Sequence, residues 1–369
     1  MPTPLYYIRF AKPPPVQCVV NQPFTVVWNI ENDLGDMVYW HPVPVMCRIE
    51  ASRTDVQLRL APAQSKGSKS KPISVNQGAP TSAPVILTYD PARGGGMVTR
   101  LMLESAGFQG PMKFRLIFEL AAGARQGHEH NVWRRAFRFD QFEPVWIIPT
   151  WSVMLHVIKS EAHRTAGDRQ EDKQAERTLI AKDQQLINIR EDAFQSIARH
   201  VWDCGLAMCH YISYRIRLLQ KYQHIIELGS GTGLVGIYFA SLLEPRTMYL
   251  TDLADSIDIV EQNVTLMEPG QTNVVVEALE WGDKKATPWM GPVDLILLTD
   301  VLYNQGSHDV LLDTVDRLMR GNTKTLLAYK ERNPDERVFF TKIKERGWRC
   351  VRDEDTAFSC EIYWIEPAC

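Results

Sequence analysis

The sequence has no CxxC pair, no apolar run approaching the ~20 residues that cross a bilayer, no surplus of either charge and no internal repeat. Each absence removes a class of reading. The seven cysteines (Cys18, Cys47, Cys204, Cys209, Cys350, Cys360, Cys369) are scattered, and none has a histidine at metal-ligand spacing, so no metal site is expected. An odd, unpatterned set suits reduced thiols, which sets the expectation of a cytoplasmic or nuclear protein. A net charge of −3 provides no field to gather nucleic acid or an anionic membrane, and neither is expected as a partner. The stretch MPTPLYYIRFAKPPP has no charged region followed by an apolar one, so no secretory leader is expected. What is present, 45% hydrophobic and 23% charged residues over 369 positions, is the composition of an ordinary globular chain with material for two cores.

Residues 1–157 read as all-β. FTVVWNIE, VMCRIEA, VQLRL, APVILTYD, KFRLIFELA and AFRFDQF are short runs rich in Val, Ile and Phe, separated by turns of Pro, Gly, Asn and Asp. Their number and spacing predict a two-sheet β-sandwich of immunoglobulin-like or arrestin-like character. The Ser/Lys/Pro-rich stretch 62–84 is expected to be a solvated loop. Residues 158–185 turn charged and lack aromatics, which predicts a linker or an exposed helix. A chain starting near Lys182 is therefore expected to fold by itself.

From 186 to 369 short buried-strand runs alternate with amphipathic helices: HIIELG then TGLVGIYFASLL, TMYLTDL then ADSIDIVEQNVTLM, and so on to WRCVRDE and CEIYWIEP. That alternation predicts an open, doubly wound α/β sheet that binds its ligand beyond the carboxyl ends of the strands. The last two runs have no helix between them and should form an antiparallel edge hairpin.

The stretch HIIELGSGTGLVGIYFA, 224–240, holds the chemistry. Gly231-x-Gly233-x-x-Gly236 meets the dinucleotide fingerprint, and Asp252 follows about twenty positions on. The same stretch also reads Glu227-x-Gly229-x-Gly231-x-Gly233, with an acid closing the strand. Glycines let backbone N–H groups approach a ligand, and a phosphate on a helix N-terminus would suit NAD. A carboxylate at Glu227 repels a pyrophosphate and welcomes an ammonium, while Asp252 suits ribose hydroxyls. A ligand with an amino-acid cation and a ribose but no phosphate is S-adenosylmethionine. The two acids favour it over NAD without closing the choice.

The wider set of motifs narrows the reading. Residues 186–367 resemble the seven-β-strand protein methyltransferases of the methyltransferase-16 family, through VWDCGLAMCHYI (201–212), ELGSGTGLVG, LTDL, LEWGD (279–283), TDVLY (299–303) and AYKER (328–332). That family includes lysine methyltransferases acting on chaperones, AAA ATPases and translation factors. The resemblance implies a Rossmann-like seven-stranded sheet, S-adenosylmethionine as cofactor and a protein partner bearing the target lysine. Position by position, it implies that Trp202 covers the cofactor and that Glu227, Gly229, Ser230 and Gly231 face its methionine moiety. Asp252 holds the ribose, Leu253 lines the adenine pocket, Trp281 packs against adenine and Thr299 presents its backbone. Asp300 and Tyr303 form the family's Asp-x-x-Tyr signature and are the catalytic candidates.

Free lysine titrates near 10.4, yet only the neutral amine can accept a methyl group. A bare Asp300 would hold the ammonium form, so it is cast as the group that captures and orients the lysine, with Tyr303 orienting the amine. Lys330 and Glu331 depart from the Glu-Gln-like pair expected at their position. The first 157 residues match nothing in the family core and are expected to help select or position the substrate. Competing expectations are another acceptor (a histidine, a protein N-terminus or a small molecule) and an inactive binding scaffold; intact Glu227, Asp252, Asp300 and Tyr303 argue against the scaffold. No histidine arrangement reads as catalytic, and the oligomeric state is left open.

Overall fold

The computed structural model describes residues 4–51, 55–62, 83–94, 96–121, 125–126, 137–139, 145–165, 173–180, 185–193, 197–283, 291–354 and 358–367. The N-terminal half contains two β-sheets. In the strand Pro23–Glu31 alternate residues Phe24, Val26, Trp28 and Ile30 are buried and the residues between them are not, the period-two pattern of a half-buried strand. This strand lies between Leu5–Lys12 and Met97–Glu104 in a seven-stranded sheet. An eight-stranded sheet is built around Met112–Leu120, which pairs with Val43–Ala51, Thr150–Ser152 and Leu155–Ile158. A buried cluster containing Phe10, Trp28, Tyr89, Phe118 and Leu155 draws on strands of both sheets.

The charged segment 158–185 is not the linker its composition suggests. Gln174–Ile180 is a strand, and Leu186–Asp192 pairs antiparallel with it inside the eight-stranded sheet instead of opening the α/β half. The charges face partners across the sheet. Glu176 lies opposite Arg190 in the register and accepts from its Nε at 3.1 Å, while Arg177 Nη2 meets Glu191 Oε1 at 2.7 Å. Opposite charges paired across strands allow such a sequence to be buried, which composition alone does not reveal. Residues 63–82 of the predicted loop, and 166–172 and 181–184 of the predicted linker, lie outside the described residues.

The C-terminal half carries a mixed seven-stranded sheet in the order Asn273–Ala278, Thr247–Asp252, His224–Leu228, Leu295–Thr299, Lys324–Tyr329, Glu361–Pro367, Trp348–Asp353. The first five in that order run parallel, and the last two add an antiparallel pair with Trp348–Asp353 at the edge. The chain steps outward from His224–Leu228 in one direction and returns to its other side with Leu295–Thr299. This is the switch point at which sheets of this kind open a crevice. The helices face the sheet through their apolar sides. In His308–Leu318 the buried positions His308, Leu311, Leu312, Val315 and Leu318 fall at helical spacing, and Asp309, Asp313 and Asp316 face outward.

The two halves share a core. Leu5, Tyr7, Trp146, Ile148 and Leu179 belong to the same buried cluster as Val201, Cys204, Met208, Val235 and Leu250. Among the described residues no helix is long and apolar enough to cross a membrane, and none of the groups of His, Cys, Asp and Glu is arranged to hold a metal ion.

Candidate functional site

The strand His224–Leu228 ends in a turn whose backbone only glycine adopts without strain. Gly229, Gly231 and Gly233 have φ of 72°, 56° and 76°. Space is as restrictive as angle: a Cβ on Gly231 would stand 2.9 Å from the Ala198 carbonyl oxygen. The turn is tied to the neighbouring strand. Gly229 N and Ser230 N donate to Thr251 O at 2.9 and 3.0 Å, and Gly231 N donates to Asp252 Oδ2 at 2.7 Å. The Ser230 hydroxyl accepts from Thr251 N at 3.0 Å. Asn263, fully buried, donates to Thr232 O at 2.8 Å and exchanges two hydrogen bonds with the backbone of Arg190, linking the turn to the eight-stranded sheet.

This turn floors a cavity of about 420 Å³ at the switch point, and every residue singled out from the sequence lines it: Trp202, Glu227, Gly229, Ser230, Gly231, Asp252, Leu253, Trp281, Thr299, Asp300 and Tyr303. Glu227 is 1% exposed, and its carboxylate accepts from Gly236 N, 2.9 Å away, at the start of the following helix. Burial, with a smaller contribution from Asp252, pushes its carboxyl up to about 8. Asp252 accepts from the backbone N–H groups of Gly231 and Leu253, both at 2.7 Å, so it shapes the turn as well as facing the cavity. The Thr299 hydroxyl is buried with no hydrogen-bond partner among the described residues.

These features suit S-adenosylmethionine. Its amino-acid ammonium can answer the under-compensated carboxylate of Glu227, and its polar groups can answer Asp252 and the Thr299 hydroxyl. The indole of Trp281, which a Cβ on Gly229 would approach to 3.1 Å, offers an apolar wall.

The acceptor side departs from expectation. Asp300 has a left-handed φ of 60°, a conformation an L-residue holds only when its surroundings impose it. Its carboxylate is not bare, because both oxygens accept from the guanidinium of Arg332, Oδ2 at 2.7 Å from Nη2 and Oδ1 from Nη1. Arg332 lines the cavity and stacks 5.3 Å from the centre of the Trp202 ring. Its Nη2 also donates to Asp33 Oδ2 at 3.0 Å, on the loop after the strand Pro23–Glu31. Lys330 bridges the same Asp33, at 3.0 Å, and Asp203, at 2.7 Å. The sequence departure at Lys330 thus has a physical reason: it answers a carboxylate contributed by the N-terminal half. Tyr303 is 54% exposed, and its ring stands at the mouth. Leu34, next to Asp33, lines the cavity too. No sequence pattern marks Leu34, Asp33 or Arg332; the departure at Lys330 is the one signal that this strand end has an additional partner.

The chain spans 49% of the length of a UPF0665 family protein of Schizosaccharomyces pombe, with 34% identity over 43% of this chain. It is 32% identical to protein N-lysine methyltransferase METTL21A of Danio rerio over 41% of this chain and 68% of that protein. It is likewise 32% identical to protein-lysine N-methyltransferase EFM6 of Saccharomyces cerevisiae over 43% of this chain and 74% of that protein. Among solved structures, human N-acetylserotonin methyltransferase in complex with SAM aligns with a TM-score of 0.34 and 13% identity over 45% of this chain and 55% of that one. The family described as lysine methyltransferase matches residues 181–346, and with relatives of this identity and coverage the chain belongs to that family.

Proposed function

We propose that this protein is an S-adenosylmethionine-dependent protein-lysine N-methyltransferase. In this reading the N-terminal sheets form a β-sandwich packed against a seven-stranded methyltransferase domain. The observation that carries the proposal is the joining, in one cavity, of a buried and under-compensated Glu227 to the Asp300–Tyr303 pair at the mouth. Bound there, the cofactor supplies a methyl group on a sulfonium, which passes to an amine as the C–N bond forms, the C–S bond breaks and the electron pair returns to sulfur.

The chain's own residues align and desolvate. Glu227, with the glycine turn, fixes the methionine end; Asp252 holds the ribose; Trp281 and Leu253 bound the base. Asp300 and Tyr303 receive the amine and aim its lone pair inward, and alignment of this kind is the main catalytic lever when the leaving group is already activated. The relatives' printed names, EEF1A lysine methyltransferase 3 of Mus musculus among them, support a protein acceptor such as a translation factor. A chaperone or an AAA ATPase is the same class of partner.

Adding the protein and radioactive S-adenosylmethionine to a cell extract should label a discrete protein on lysine, identified by mass spectrometry. Label on histidine or on an N-terminus would move the acceptor; no label at all would reject the activity. For the cofactor, Asp252→Ala is expected to weaken S-adenosylhomocysteine binding by about 1–3 kcal/mol in calorimetry, because it removes a charged acceptor and loosens the turn together. Tighter binding of NAD than of S-adenosylhomocysteine would overturn the assignment. Asp300→Ala should lower turnover about tenfold or more, while leaving S-adenosylhomocysteine affinity within about threefold.

A further inference from the structure

The amine that accepts a methyl group must shed a proton, and a bare carboxylate beside it opposes that loss. In this protein the carboxylate is not bare. Arg332 covers both oxygens of Asp300, and its Nη2 is shared with Asp33 of the N-terminal half, whose side chain is buried. Asp33 is held in turn by Lys330, which is held by Asp203 at the start of the helix Asp203–Tyr214, and Asp203 accepts from the Tyr7 hydroxyl at 2.6 Å. A chain of ion pairs, tied at one end to the first strand by the Tyr7 hydrogen bond, thus runs to the catalytic candidate. The guanidinium cannot swing away without leaving Asp300 without its cation and Asp33 with Lys330 alone, a costly exchange for buried groups.

Resting on the lysine-methylation reading, we propose that Arg332, anchored by Asp33, is a positioning residue of the acceptor site: it neutralises Asp300 and fixes its orientation, so that the substrate lysine is aligned by the carboxylate without being locked as an ammonium. The N-terminal half then contributes to the chemistry through Asp33, beyond any part it has in choosing the substrate. The Asp300 oxygens keep lone pairs that can accept from an incoming amine, and the Arg332 cation next to them favours the neutral form.

The pH dependence isolates this role. The titratable groups around Asp300 and Arg332 are Asp33, Asp203, Cys204, Lys330 and Tyr303. Asp203 is pushed up to about 6 by its burial and by Asp33, and Asp33 is held low by Lys330 and Arg332 despite its burial, so both are ionised above neutrality. The Cys204 thiol is raised by burial, as is the Tyr303 hydroxyl, and Asp203 and Asp33 hold Lys330 as a cation despite its burial. Glu227, which lines the same cavity and is pushed up to about 8, is held ionised by the ammonium of the bound cofactor, so between about pH 7 and 9, with cofactor saturating, the acceptor amine is the group left to titrate.

The test is the kcat–pH profile of methyl transfer to the protein labelled by the wild type in extract, then purified, with S-adenosylhomocysteine affinity measured for each variant. Arg332→Gln is expected to move the acidic limb up by about one pH unit, within the range an uncovered carboxylate produces. Arg332→Lys, which keeps the charge but not the two-pronged grip, should leave the limb in place and lower kcat. The charge-balanced pair Asp33→Asn with Arg332→Gln guards against loss of folding in the single variant and should also move the limb up. Limbs that stay at the wild-type pH in Arg332→Gln and in the pair would overturn the proposal, as would variants that lose S-adenosylhomocysteine affinity and turnover together. A wild type that binds S-adenosylhomocysteine but labels no protein fails on the methylation reading itself, before any variant is compared, and removes the Arg332 role with it.

Discussion

A chain shortened to begin at residue 182 is expected to lose cooperative unfolding and S-adenosylhomocysteine binding together, although its sequence contains every motif of the cofactor site. The cut removes Leu5, Tyr7, Trp146, Ile148 and Leu179, all members of the cluster that also buries Val201, Cys204, Met208 and Val235. At about 1.5–3 kcal/mol for each large apolar side chain, the loss is of the order of the whole stability of a domain, about 5–15 kcal/mol. Polar losses add to it. Asp203 loses the Tyr7 hydroxyl and Lys330 and Arg332 lose Asp33, leaving buried charges under-compensated. The strand Leu186–Asp192 loses its partner Gln174–Ile180, while its Arg190 still has to present a backbone to Asn263, which braces the glycine turn. A urea titration followed by circular dichroism, with calorimetry alongside, decides the matter. A sharp transition near the full chain's midpoint, with normal binding, would show the two cores to be independent after all.

The same observation marks what the sequence could and could not say. Chemistry carried by neighbours in the chain was legible: the alternating glycines with Glu227 and Asp252 point to a ligand having an ammonium and a ribose, and Asp300-x-x-Tyr303 reaches the mouth of that cavity. The sheet was legible too, because buried strands and amphipathic helices have different periods. Pairings between distant positions were not. Glu176 and Arg190 read as solvated charges until a sheet register sets them opposite one another, and nothing in AYKER indicates that Lys330 and Arg332 meet an aspartate some three hundred positions earlier. A boundary drawn where composition turns polar therefore falls within a sheet, and the carboxylate of Asp300, which looks free in the sequence, is held by Arg332.

Glu227→Gln is expected to make the ligand-free protein more stable and the enzyme nearly unable to hold its cofactor. The carboxyl of Glu227 is pushed up to about 8, chiefly by burial, against an ordinary value of 4.5. The folded state therefore binds this proton more tightly than the unfolded chain does, and stability is greatest below about pH 4.5 and declines as pH rises toward 8. A glutamine stays neutral throughout and can still accept from Gly236 N, so its advantage over the wild type should grow across that interval and reach about 4 kcal/mol near pH 8. Binding reverses the order. The cofactor's ammonium stabilises the ionised carboxylate, and losing one partner of a buried charge pair costs about 3–5 kcal/mol, so S-adenosylhomocysteine affinity should fall by at least about a hundredfold. One further consequence separates this account from a merely steric one. At pH 7 most wild-type molecules enter the complex with Glu227 protonated, so binding should release nearly one proton, seen as a calorimetric enthalpy that varies with the ionisation enthalpy of the buffer. The glutamine variant should show no such dependence. A wild type that binds with no proton released would mean that Glu227 is already ionised or does not face the ammonium, and the site would then have to hold the amino-acid end of its ligand by other groups.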